Sequence, residues 1–259
     1  LPEPEALHPT LWRAHQLGRA QDTPVPSGFA ALDAQLPGGG WPRRGLTELL
    51  LPQAGIGELR LLAPALRQVM AAGRVVMLFD PPETLCAAGW TQLGIGLEQL
   101  VIVQPRSRVQ GAARERLPQA DMLWAVEQAL KSGHVGAVLA WLPARLRAEV
   151  MRRLQLAAHS HDGPAFVLRE SAAAQRPSPA PLRLSLQPAG ADQLAVRLLK
   201  RRGPGLAQPL RLALPSVLPP PVASRLAPPG DEAPAAPVHA PQAPQPSQAA
   251  FQASTGHAA

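Results

Sequence analysis

The stretch Pro52-Gln53-Ala54-Gly55-Ile56-Gly57-Glu58-Leu59 lies between an apolar run, "ELLL", and a helical pattern. A strand, a glycine-containing turn and a helix start, in that order, are what a phosphate-binding loop needs. Successive backbone N–H groups and the positive end of the helix then converge on one anion. In a working loop a lysine reaches the outer phosphates and a Ser or Thr hydroxyl holds Mg²⁺. Neither residue is present. Aligning Gly57 with the glycine that precedes the lysine puts Glu58 at the lysine and Leu59 at the hydroxyl. Aligning on Pro52 puts Gly57 at the lysine and Glu58 at the hydroxyl. Either way the cation is gone and a carboxylate has arrived. About 4 Å from a phosphate charge, that carboxylate repels by about 4 kcal/mol at an effective dielectric of about 20. At a helix N-terminus Glu58 is itself suited to the free N–H groups and the dipole. It could occupy the anion site from within.

Other chemistry-bearing residues are sparser. His159, His161 and Asp162 in "AHSHD" offer metal ligands, but no partner cluster with ligand spacing accompanies them, so a polar helix end is expected. Cys86 has no His–acid pattern nearby and reads as a buried structural thiol. There is no G-x-S-x-G elbow. Arginines gather in three groups: Arg106, Arg108, Arg114 and Arg116; Arg145, Arg147, Arg152 and Arg153; and Arg197, Lys200, Arg201 and Arg202. They suit weak contact with a DNA backbone, or equally a solvated face. No tyrosine is present and phenylalanine is sparse, which speaks against a base-stacking platform.

The elements that would position these residues follow from apolar periodicity. Over 259 residues the chain can bury one sizeable core. Its formal charge of +7 is carried almost wholly by arginine, with Lys131 and Lys200 the two lysines. A single cysteine excludes an internal disulfide and a Cys-rich zinc site. With no basic–apolar leader and no apolar run of membrane-spanning length, a cytoplasmic protein without a membrane contact is expected. Strands are expected at 45–51, 74–80, 100–105, 135–143 and 163–171. Helices are expected at 58–72, 117–133 and 144–162, with a short one within 81–95. In the first helix Leu59, Leu62, Leu66 and Val69 share a face, and Pro64 should kink it or delay its start. Leu182, Leu184 and Leu186, the turn "PAGAD", and Leu194, Val196 and Leu198 read as a hairpin. Strands alternating with helices predict an α/β fold with a mostly parallel sheet covered on both faces, edged by antiparallel strands.

From Pro215 the composition turns to Pro, Ala, Gln and Ser, which has little to bury. Three segments result: an N-terminal amphipathic segment and linker at 1–25, a core at 26–212, and a disordered tail at 213–259 that serves as a spacer or holds a short docking motif.

The order of these pieces resembles the RecA-type ATPase core. "PSGFAALDAQLPGGGWPRRGLTELLLPQAGIGELRLL" (26–62) is similar to the segment that leads into its first strand and phosphate loop, and the later strands, the Arg-rich helix and the hairpin follow in the same order. Within that superfamily "GIGELRLLAPAL", "FDPPETLCAAGW" and "AVLAWLP" resemble the ImuA family, RecA-like accessory proteins of bacterial mutagenesis cassettes; the likeness covers about residues 7–212. The resemblance implies where catalytic acids would stand. The second core strand should end in an acid that activates water. "FDPPE" puts Pro82 there, with Asp80 before it and Glu83 one residue late. The strand that should end in a Mg²⁺-supporting aspartate has Trp141.

With the loop, these losses imply a non-enzymatic protein with no cofactor, ATP included. The family resemblance implies SOS-induced translesion DNA synthesis, with an ImuB-like Y-family protein, an error-prone polymerase α subunit and RecA as partners. The rival is a SulA-type inhibitor of cell division that binds FtsZ, since SulA-like proteins share the truncated core and the degenerate loop. An ImuB-like gene directly downstream would decide between them. Leu7, Leu11 and Trp12 form an amphipathic start that docks on a partner or packs on its own core.

Overall fold

The computed structural model describes residues 23–82, 85–105, 117–203 and 208–217. A short helix, α1 (Ala30–Asp33), precedes β1 (Leu46–Leu51), α2 (Glu58–Ala71), β2 (Val75–Phe79), α3 (Ala87–Gln92) and β3 (Leu100–Val103). Then come α4 (Gln119–Lys131), β4 (Val135–Trp141), α5 (Ala148–His159) and β5 (Ala165–Glu170). The chain finishes through β6 (Leu182–Pro188), β7 (Gln193–Lys200) and β8 (Leu210–Ala213). All eight strands join one sheet in the order β3-β2-β4-β5-β1-β6-β7-β8. The pairs from β3 to β6 are parallel, and β6–β7 and β7–β8 are antiparallel. This is the expected α/β architecture, with a RecA-like core and a C-terminal antiparallel hairpin.

Both faces of the central strands are apolar, because each must bury side chains under helices. In β4, Ala137, Leu139 and Trp141 enter a core shared with α1, α2 and α3, while Val138 and Ala140 enter a second core shared with α4 and α5. In β5, Phe166 and Leu168 alternate in the same way with Ala165 and Val167. The hairpin uses one face: Leu182, Leu184, Leu186, Leu194, Val196 and Leu198 all enter the first core, as their alternation predicts. The approach to β1 is pinned by reciprocal bonds between Val25 and Trp41, at 2.9 and 2.7 Å, and by Trp41 packed edge-on to Phe166.

Four expectations are corrected. Helix α2 runs from Glu58 to Ala71 with Pro64 inside it, so the proline does not delay its start, and it buries Leu61 more deeply than Leu59. Pro64 is held against Gly28, where an added Cβ would lie 2.4 Å from the proline ring. The Arg-rich helix begins at Ala148, not at residue 144, and Leu146 packs into the second core from the preceding segment. Strand β8 was not expected; it continues the packing past residue 212, and Leu214 beyond it is buried. Finally, Cys86 is exposed rather than buried, because it stands at the start of α3 on the rim of a cleft.

Candidate functional site

The carboxyl ends of the parallel strands lie along one edge of the sheet, where β1 hands over to the loop 52–57 and α2. Two glycines turn the chain there, Gly55 at φ 81° and Gly57 at φ 109°. Both are left-handed conformations that cost a residue with a Cβ. Gly57 is required twice over, since a Cβ on it would lie 2.5 Å from Leu214 Cδ1. Gly57 caps α2 without any side-chain help. Glu58, the first residue of the helix, supplies the missing acceptor: the Gly55 N–H donates to its Oε1 at 2.9 Å. The side chain is 2% exposed, and its other oxygen is buried without a partner. The loop therefore holds its own carboxylate close to where an incoming anion would be received. The helix dipole favours that carboxylate for the same reason it would favour a phosphate.

The loop is braced from the C-terminal side. Arg60 of α2 pairs with Asp192 in the hairpin turn and donates to the Pro215 carbonyl. The Asp192 carbonyl accepts the Leu214 N–H at 2.8 Å. A cleft of about 200 Å³ opens beside the loop, walled by Leu59, Pro82, Leu85, Trp90, Leu93 and Trp141, with Glu58 the one carboxylic side chain among the described residues that line it. Cofactor pockets run to roughly 300–1,000 Å³ and present several convergent polar groups. This cleft is smaller and, among the described residues, offers no cation. A second cavity of about 290 Å³ shares Ala54, Pro82 and Trp141 and runs on past Pro143 to Arg169 and Glu170.

The remaining positions fall as follows. Pro52 is exposed at the start of the loop. Trp141 ends β4 as expected, 6% exposed, with its indole N–H buried and unpartnered. Asp80 follows β2 in a left-handed conformation at φ 49°; its N–H donates to the Val103 carbonyl at 2.8 Å, and its Oδ1 is buried without a partner. Glu83, Arg106, Arg108, Leu7, Leu11 and Trp12 lie outside the described residues. The basic residues are dispersed. Arg152 stands 3.9 Å from Glu149, and Arg153 pairs with Glu127 on α4. With Lys131, Arg153 holds the Glu127 carboxyl below the usual range. Lys200 donates to the Ser178 carbonyl at 2.9 Å, and Arg201 is bound to the Gln35 carbonyl. Exposed Arg202 joins Arg43, Arg44 and His159 around a separate cleft of about 500 Å³.

Two features escaped the sequence reading. Glu48, fully buried in the middle of β1, accepts from Arg169 of β5 at 2.6 Å and from Arg183 of β6 at 2.5 Å. Arg169 also donates to the Pro143 and Ala144 carbonyls, and Arg183 to Ala173. A charge inside an apolar strand must be paired, so Glu48 in "LTELLL" was itself the signal. The second is His161. His159 does end α5 exposed, but His161 is fully buried with neither ring nitrogen hydrogen-bonded. Burial first, and then Arg74, push its pKa down to about 4. Among the described residues no group of three or more His, Cys, Asp or Glu could hold a metal ion, and no helix is long and apolar enough to cross a membrane.

Comparison with known proteins meets this geometry on the same core. The model of the family described as cell division inhibitor SulA matches residues 48–165, from β1 to the first residue of β5. Protein RecA of Lactobacillus delbrueckii subsp. bulgaricus is 28% identical over 161 residues, 54% of this chain and 46% of that protein. Protein RecA of Levilactobacillus brevis is 29% identical over 140 residues, 50% of this chain and 37% of that one. Protein RecA 1 of Myxococcus xanthus is 27% identical over 140 residues, covering 50% and 41%. The chain thus spans less than half the length of these curated relatives. Together the matches relate it to the SulA and RecA group of proteins.

Proposed function

We propose that this chain is a non-catalytic, RecA-like accessory protein of the SOS-type DNA-damage response, working by protein contact in translesion synthesis. Its partners on this reading are an ImuB-like Y-family protein, an error-prone polymerase α subunit and RecA. The observation that carries it is the Glu58 carboxylate bonded to the Gly55 N–H inside the loop. A core that fills its own anion site has no use for a triphosphate, yet keeps the surfaces through which such cores associate. The approach segment pinned at Trp41 and the three-stranded C-terminal sheet lie outside the SulA-matched region and complete the larger core.

The match to the SulA family favours a second reading, inhibition of cell division by binding FtsZ. One experiment addresses both. The full chain is titrated against purified ImuB-like protein, RecA and FtsZ, and ATP turnover is followed with and without single-stranded DNA. The first reading expects no turnover, binding to the ImuB-like protein or RecA, and a loss of roughly thirtyfold in that affinity on Trp12→Ala, about 2 kcal/mol at an aromatic anchor. Binding to FtsZ alone would establish the second reading. Turnover at RecA-like rates that disappears on Glu58→Ala would overturn both.

A further inference from the structure

The cleft beside the phosphate loop has an apolar, aromatic wall, an unused donor, and the described chain ending against it. Leu214 is buried on Gly57, the Pro215 carbonyl accepts from Arg60, and Val217 itself lines the cleft. The next residues are Leu218-Pro219-Pro220-Pro221-Val222. We propose that this Pro-rich segment of the chain docks along the cleft as an intramolecular plug, so that the site once shaped for nucleotide holds the protein's own tail.

Three observations support this occupant. Proline-rich segments in the polyproline II conformation lose little entropy on binding and seat in aromatic-lined grooves. Trp90 and Trp141 provide such a lining, beside Leu59, Leu85 and Pro82. The second support is polarity. The Trp141 indole N–H is buried and unpartnered, and a buried donor needs an acceptor. Residues 219–221 carry carbonyl acceptors but no N–H, so they can satisfy a donor without bringing another donor to bury. The third is reach. At about 3.1 Å per residue, five residues in this conformation cover about 16 Å. They start at the first cavity, which shares Ala54, Pro82 and Trp141 with the second, so the path is continuous. The plug goes beyond the proposed function and holds whichever partner the protein serves. A partner that uses this edge must displace the tail or bring a better proline-rich segment.

The test compares the full chain with a chain ending at Val217, both ¹⁵N-labelled, with the Trp141 indole resonance assigned through Trp141→Phe. A labelled peptide of residues 218–229, LPPPVASRLAPP, is titrated into each. The plug predicts peptide binding at least tenfold tighter to the shortened chain than to the full chain. It also predicts that the bound peptide moves the Trp141 resonance toward its full-chain position, and that a peptide with Pro219, Pro220 and Pro221 changed to serine does neither. Should the shortened chain fail to fold, the triple substitution Pro219→Ser, Pro220→Ser and Pro221→Ser in the full chain must shift the Trp141 resonance and open the cleft to the peptide. Equal binding to both chains, binding to neither, or a Trp141 resonance indifferent to truncation and to the triple substitution would overturn the proposal. A Trp141 shift that disappears on dilution, alongside a dimer in sedimentation, would mean that a second copy supplies the segment, which also overturns the intramolecular plug.

Discussion

Two carboxylates are buried along one strand–loop segment, and the protein treats them oppositely. Glu48 lies in the middle of the sheet and is met by two arginines from the strands on either side. Glu58 lies at the carboxyl edge, with one oxygen on the Gly55 N–H and the other unpartnered. The first binds three strands and the loop after β4 into one unit. The second closes the turn at the start of α2 on itself. Buried ion pairs recover their desolvation only when geometry and extra hydrogen bonds are complete. The arginines around Glu48 meet that condition through the Pro143, Ala144 and Ala173 carbonyls. The middle of the sheet is therefore committed to stability, whereas its carboxyl edge leaves a buried carboxylate oxygen without a partner.

The contrast breaks most visibly at Glu48. Glu48→Gln leaves Arg169 and Arg183 charged and buried without a counter-ion, so the loss should be about 3–5 kcal/mol. Guanidinium denaturation of the purified chain measures it. A loss below about 1 kcal/mol would mean that the cluster is solvated, since that is the range of exposed pairs. Replacing all three residues by leucine should cost far less than Glu48→Gln alone, because no charge is then stranded.

The next effect belongs to a buried group with no partner, His161. Its pKa lies near 4, below the ordinary 6.5. Between those values the unfolded chain binds a proton that the folded chain refuses. Stability is therefore complete above about pH 6.5 and declines as the pH falls toward 4, by about 3 kcal/mol in all. Denaturation midpoints at a series of pH values should show that slope. In His161→Leu the share owed to this residue should vanish, and an unchanged slope would assign the acid sensitivity elsewhere.

These residues also show what a sequence discloses. The hairpin was legible because period-2 alternation reports a half-buried sheet directly, and the loop was legible because its missing lysine is a local fact. The fate of Glu58 followed from helix-end electrostatics alone. Glu48 was not read because its partners lie 121 and 135 positions away, and no local pattern encodes such a pairing. "HSHD" looks like a polar helix end, yet His161 is fully buried between α5 and β5; only tertiary packing decides that. Strand β8 has four residues followed by Leu214 and Pro215, too short for a periodic signal. Leu146 misled for the opposite reason, being apolar at helical spacing while packing from a non-helical segment.

Glu58 should prove the milder of the two carboxylates. Glu58→Gln keeps an acceptor for the Gly55 N–H and strands no cation, so stability should stay within about 1 kcal/mol of the parent, the scale of one hydrogen bond. A loss as large as that of Glu48→Gln would erase the distinction between the two sites. Gly57→Ala sharpens it from the backbone side. The added Cβ meets both a left-handed φ and Leu214, so the loop must move. The cost should be about 1–3 kcal/mol from backbone strain alone.

The smallest effect concerns cations that are not held in the core. Arg169 and Arg183 are immobilised on Glu48, and Arg201 is bound to the Gln35 carbonyl beside α1. Arg202 is exposed next to Arg43 and Arg44 on the rim of a cleft. If that rim touches a nucleic-acid backbone, the contact is with phosphates, and each lost contact lowers the salt slope of binding by about 1 unit. Arg202→Ala should therefore flatten the dependence of log K on log salt by about 1 unit for single-stranded DNA, equally for every sequence. Arg201→Ala should leave the slope unchanged and lower the melting temperature instead, since it removes hydrogen bonds to Gln35. Fluorescence anisotropy at several salt concentrations, beside a melting curve for each variant, separates the two. Identical slopes for Arg202→Ala and the parent would remove this rim from any DNA contact and leave the basic residues as a solvated face.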